Sequence, residues 1–76
     1  MLRAGKKIQK RRRYLHLTDV NLALRIGVSR SYVTLIENGK RKVPKKLVIP
    51  LAKALRLSEK VVYQWFLKDA MEELRL

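Results

Sequence analysis

Cations dominate the chemistry this chain can do. Lys40, Arg41, Lys42, Lys45 and Lys46 crowd one short stretch, Arg11, Arg12 and Arg13 are consecutive, and Arg30 stands among the hydroxyls of Ser29, Ser31 and Thr34. Ammonium and guanidinium groups at this density attract phosphate oxygens, and short hydroxyls can bond base edges. The groups that acid–base, nucleophilic or metal chemistry needs are missing. His16 is the only histidine, and there is no cysteine. His16 reads as a helix-end residue rather than a metal ligand. Glu72 and Glu73 are adjacent, so they face different ways and make no acid–base pair. No glycine-rich loop is present to cradle a phosphate. The chain is therefore not expected to be an enzyme, and no catalytic residue, metal or cofactor is implied.

The charge is unevenly spread. The whole chain carries 19 basic and 6 acidic residues, a net +13. Positions 1–58 hold 16 of the bases and 2 of the acids, a balance of +14, while positions 59–76 are nearly neutral. Such a body attracts nucleic acid or an anionic membrane, with an on-rate that falls as salt rises. The tail is expected to do a different job. At 76 residues the chain reads as a single domain, 1–76, small enough to be marginal in stability. Met1 to Lys10 has no apolar run of the kind a signal peptide needs. The longest apolar run, Leu47 to Ala52, is too short to span a bilayer. The absence of cysteine suits a reducing cytosol.

Helices must position these side chains. A first helix is predicted from about Arg3 to Tyr14, with Ile8 and Leu15 about two turns apart. Thr18 caps a second, with Asp19 in its first turn and Leu22, Ala23 and Ile26 as an inward stripe. Gly27 makes the turn. Ser29 caps a third, with Val33 and Ile36 inward, and Asn38-Gly39 stops it. Two short helices joined this tightly form a helix-turn-helix, which presents its second member outward.

The loop Lys40 to Lys46 leads to a fourth helix carrying Leu47, Val48, Leu51, Ala52 and Leu55. Pro50 fits only a first turn, so this helix starts near Lys46 or Leu47; a kink at Pro50 is the other option. Ser58 caps a fifth, extended over 59–75. Its apolar residues cover more than the single stripe a monomer needs. The surplus predicts a contact between two copies, through Val62, Trp65, Phe66, Ala70, Met71 and Leu74. Trp65, in this neutral tail, reads as packing and not as a base-stacking platform.

These residues resemble the XRE-type helix-turn-helix domain, the five-helix family of phage Cro and lambda-like repressors. The resemblance covers roughly residues 4–63. Its carriers are Ile8 with Arg12, Leu17-Thr18, Leu22-Ala23, Ile26-Gly27-Val28-Ser29, Ser31-Tyr32-Val33 and Ile36-Glu37-Asn38-Gly39, then Leu51-Ala52-Lys53-Ala54-Leu55 and Leu57-Ser58. It implies an all-α, compact, lambda-repressor-like fold of five helices. It also implies a sequence-specific transcriptional regulator of a prokaryote or phage, cytoplasmic and associated with the nucleoid. The partners implied are double-stranded DNA and a second copy of the chain, bound together on a near-palindromic operator.

The resemblance places the third helix, about 30–37, in the major groove. Ser29, Arg30, Ser31, Thr34 and Leu35 then face bases, and Arg30 can give two hydrogen bonds to guanine. Arg30 also sits where the helix dipole mildly disfavours a cation, which favours a functional reading. Ser31 and Thr34 read equally well as plain surface, and Leu35 as partly buried core. Tyr32, Asn38, Lys40, Arg41 and Lys42 are placed along phosphates, which position the protein without reading sequence. Tyr32 is expected to be half core. Arg12 is paired with Glu37, while Lys10, Arg11 and Arg13 are left solvated or near phosphate.

Four features depart from the family pattern. Asp19 stands where the family usually has a glutamine on the DNA backbone, and a carboxylate there repels phosphate. Asn21 replaces the acid of a capping box. His16 replaces the glycine that usually ends the first helix. Val20 and Leu24 form an apolar pair on the second helix with no core role. That pair suggests an alternative: an antitoxin-like adaptor that binds a partner protein, with DNA secondary. Non-specific polyanion binding is a third reading. It predicts equal affinity for every duplex, whereas a regulator needs a specific-to-random ratio of ~10³ or more. No membrane partner is expected.

Overall fold

Five α-helices account for most of residues 3–74, the residues described by the computed structural model of this chain. They are α1 (Ala4–Tyr14), α2 (Asp19–Ile26), α3 (Arg30–Glu37), α4 (Val48–Leu55) and α5 (Glu59–Glu73), with a 3-10 turn at Lys45–Leu47. No strand occurs among the described residues. The three hydroxyl caps act as their sequence positions require. Thr18, Ser29 and Ser58 accept from the backbone N–H of Asn21, Tyr32 and Val61 at 3.0, 3.1 and 3.3 Å. Pro50 is the third residue of α4, within its first turn, where a missing N–H removes no intrahelical bond. The chain approaches it through the 3-10 turn, so the early-start option holds. Helix α5 ends at Glu73 with Leu74 as its cap; position 75, the expected end, lies outside the described residues.

Four of these helices close with the same pair of backbone bonds. The left-handed residue donates to a carbonyl three back, and its successor to one five back. Gly27 and Gly39 do this after α2 and α3 at φ 74° and 72°. His16 and Arg56 do it after α1 and α4 at φ 58° and 55°, each with a side chain in the left-handed region. That conformation costs a non-glycine residue about 1–2 kcal/mol. The turn at His16, where the family usually has glycine, is therefore not built differently but is the same motif held by a strained residue.

Every helix contributes to one core. Ile8, Leu22, Val33, Leu51, Leu55 and Val62 are its most deeply buried large side chains. Val62, expected at a contact between copies, is 1% exposed and so unavailable to a second chain. Trp65 and Phe66 are half-buried against the same core. The apolar surplus of α5 thus divides in two. One side completes the core; Tyr63, Leu67, Met71 and Leu74 remain 38%, 41%, 63% and 84% exposed.

Helix α5 also holds the far end of α1. No side chain of its own caps α1. Instead Asp69 Oδ1 accepts from the N–H groups of Arg3 and Ala4 at 2.8 and 3.2 Å, with Asp69 only 4% exposed. A carboxylate there meets the positive end of the helix dipole. No helix among the described residues is long and apolar enough to cross a membrane.

Candidate nucleic-acid interface

Helix α3 is fixed from behind by α1. Arg12 Nε and Nη2 donate to Glu37 Oε2 and Oε1 at 2.7 and 2.9 Å, and Arg12 Nη1 donates to the Leu17 carbonyl at 3.0 Å. Gln9 Nε2 adds a longer bond to Glu37 Oε1 at 3.4 Å. Both charged side chains are nearly enclosed, and bonding to Glu37 holds the Arg12 guanidinium still further on its charged side. A two-pronged pair of this kind fixes orientation. Gly5 supplies the second constraint. A Cβ built on it would collide with the Ile36 carbonyl oxygen and lie 3.0 Å from Glu37 Cα. The two helices approach this closely only because that position lacks a side chain.

The outward face of α3 is open. Ser29, Arg30, Ser31, Thr34 and Leu35 are all exposed, and the last four line a shallow depression of about 420 Å³. Their donors are not equally free. Ser29 Oγ is engaged as a cap. Thr34 Oγ1 donates to the Arg30 carbonyl at 3.2 Å, so Thr34 offers lone pairs and a methyl but no proton. Leu35 is 38% exposed and not core. Arg30 has a partner the sequence reading did not assign: its Nε donates to Asp19 Oδ2 at 3.0 Å. That bond holds the Asp19 carboxyl below the usual carboxylate range. It also offsets the dipole penalty, so the dipole no longer argues for Arg30 having a functional role.

The loop after α3 is tied to it. The N–H groups of Lys40 and Arg41 both donate to the Leu35 carbonyl, at 2.9 and 3.2 Å. Half-buried Tyr32 packs on the core, and the Arg41 guanidinium lies over its ring, 4.9 Å from the centroid. Asn38, Lys40 and Arg41 are exposed beside the depression-bearing helix. Lys42 is also exposed, and its Nζ pairs with Glu73 Oε2 at 3.2 Å. Arg11 corrects a further expectation. It is not simply solvated: Nε and Nη2 donate to the carbonyls of Leu55 and Arg56 at 2.9 and 3.2 Å, capping α4.

Sequence reasoning missed Gly5, Asp69 and the Asp19–Arg30 pair. No local pattern marks the first two, whose partners lie on other helices. The third had a signal: an acid and a base at the starts of two consecutive short helices.

Comparison with known proteins follows the same lines. Residues 8–62 match the helix-turn-helix family model. The chain is 39% identical over 59 residues to an uncharacterized HTH-type transcriptional regulator of Mycobacterium tuberculosis, in strains CDC 1551 / Oshkosh and ATCC 25618 / H37Rv alike. That match takes in 78% of this chain but 42% of the relative, so the chain spans less than half the length of these curated relatives. Among solved structures it is similar to the restriction-modification controller protein C.AhdI from Aeromonas hydrophila, at TM-score 0.74 and 30% identity over 80% of this chain and 92% of that one. It is also similar to the clp gene regulator ClgR from Corynebacterium glutamicum, at TM-score 0.73 and 26% identity over 93% and 81%.

Proposed function

The chain belongs to the XRE-type helix-turn-helix family, and from that membership we propose that it is a sequence-specific, double-stranded DNA-binding transcriptional regulator. In this reading α3 enters the major groove while α1, α4 and α5 form the scaffold behind it. Arg30, Ser31, Thr34 and Leu35 face base edges, with Ser29 at the rim. Tyr32, Asn38, Lys40 and Arg41 lie along phosphates. The observation that carries this reading is the open outer face of α3 on a helix anchored by Arg12, Glu37 and Gly5. An anchored, unobstructed helix on a polycationic body fits a groove lined by phosphates.

Two copies are proposed to bind together, each giving one α3 to a near-palindromic site, in the cytoplasm and at the nucleoid. The contact falls on the side of α5 that bears Leu67, Met71 and Leu74, exposed at related helical positions, with half-buried Ala70 beside them. Resemblance to a controller protein suits this layout. Selection from a random duplex library tests the whole reading. An enriched inverted repeat supports specificity and symmetry together; enrichment of no motif overturns both.

One observation favours a second reading. Val20 and Leu24, 45% and 74% exposed, remain an unpartnered apolar pair on α2. An adaptor that binds a protein through this pair would lose its partner on Leu24→Glu while keeping its affinity for DNA.

A further inference from the structure

Asp19 uses both carboxylate oxygens. Oδ1 accepts from the neighbouring Val20 N–H at 2.7 Å, and Oδ2 accepts from Arg30 Nε at 3.0 Å. The first bond steadies the carboxylate at the start of α2; the second crosses the turn to the start of α3. Arg30 nevertheless keeps 69% of its side-chain surface exposed. Among the described residues, neither of its Nη groups bonds within the protein.

A guanidinium can offer paired donors from its Nε side or from its two Nη groups. Asp19 occupies the first. What remains is a fork of two parallel N–H donors, the match for N7 and O6 of guanine. We propose that Asp19 is a specificity-determining positioning residue, holding Arg30 so that its Nη fork addresses a guanine edge rather than a phosphate. The proposal rests on the reading that α3 lies in the major groove.

Physical reasons favour the division of labour. A free, exposed arginine samples many rotamers and bonds whichever phosphate is nearest. A tethered one has less freedom to lose on binding. The pair is neutral overall, so Arg30 adds little to sequence-independent attraction. Any register that brings a phosphate to this spot also meets a carboxylate, which raises the free energy of wrong alignments. The acid that stands where the family usually contacts the DNA backbone thereby acquires a role consistent with its charge. Bonding from Arg30 keeps that carboxyl ionised well below neutral pH.

The test uses the full chain. Base preference is measured by selection on random duplexes for the unaltered protein, Asp19→Asn, Arg30→Ala and the double variant. Salt titrations on a selected and a random duplex accompany it. Arg30→Ala is expected to lose guanine preference at one position of each half-site, by roughly 5- to 150-fold. Asp19→Asn is expected to relax that same position by roughly tenfold. It should also bind random duplex more tightly and steepen the salt slope by up to about one. In the Arg30→Ala background, Asp19→Asn should change nothing further at that position.

Asp19→Glu, which keeps the carboxylate, should restore part of the preference. If Asp19→Asn melts below the assay temperature, Asp19→Ser, also suited to a helix start, gives the same reading. A motif that Asp19→Asn leaves intact would mean an inert surface pair and overturn this proposal alone. Equal relaxation with and without Arg30 would also overturn it. If the unaltered protein enriches no motif, the groove reading itself has failed, and this proposal fails with it.

Discussion

Arg11, Arg12 and Arg13 are identical in type yet differ in role, because successive side chains on a helix diverge by about 100°. Arg11 caps α4, Arg12 grips Glu37, and Arg13 is exposed. The same caution applies to Arg30, whose value lies in where its donors point. Arg30→Ala should relax base preference at one operator position, with a loss of about 1–3 kcal/mol there; a uniform loss on every sequence would refute direct reading. The preference should not change between about pH 5 and pH 8. Asp19 has a folded value below its unfolded one, so the pair is fully formed above the unfolded value, near pH 4. It is lost only as pH falls through the depressed folded value. His16 offers an independent check on backbone strain. His16→Gly should raise stability by about 1 kcal/mol, or roughly 4–8 °C in a thermal melt, because it relieves the left-handed side chain at φ 58°. An unchanged or lowered melting temperature would show that the imidazole contributes at least as much as its backbone costs.

Among the elements, α5 carries two loads that its sequence does not separate. Val62, Trp65 and Phe66 close the core, and Asp69 caps α1 from a distance of 65 residues in sequence. Asp69→Ala removes a charged acceptor from N–H groups that are otherwise partly or wholly buried. It should destabilise the domain by about 1.5–3 kcal/mol in denaturant unfolding. A loss below about 0.5 kcal/mol would mean that water caps α1 equally well. Removal of everything after Tyr63 would take away Trp65, Phe66 and Asp69 together, so it would disturb the core and the α1 cap along with any contact between copies. Met71→Glu is the sharper test of pairing. Met71 is 63% exposed, so the change spares the core. The unaltered chain is expected to sediment as a dimer and the variant as a monomer that binds its operator more weakly. A variant that stays dimeric would move the contact off this face.

For the molecule as a whole, charge and shape act at different ranges. The +14 of positions 1–58 draws in any polyanion. In the proposed reading, the small open face of α3 is what tells one duplex from another. Lys40→Ala should therefore weaken binding to specific and random duplexes alike and reduce the salt slope by about one. An unchanged slope would remove Lys40 from the phosphate set. Lys42, paired with Glu73, should contribute less to that slope than Lys40.

Helix starts, helix stops and the helix-turn-helix itself could be read from the chain, because each depends on residues within one turn of one another. Thr18, Ser29 and Ser58 cap through the N–H three positions on, and Gly27 and Gly39 end their helices through local backbone bonds. The Arg12–Glu37 pair was reached by resemblance, since nothing local links residues so far apart. The fate of the α5 apolar surplus, the collision that keeps position 5 a glycine and the capping of α1 by Asp69 were decided by packing alone. Periodicity states which residues share a helix face. It does not state which neighbour covers that face, and long-range contacts form only when separate helices are brought together against a common core.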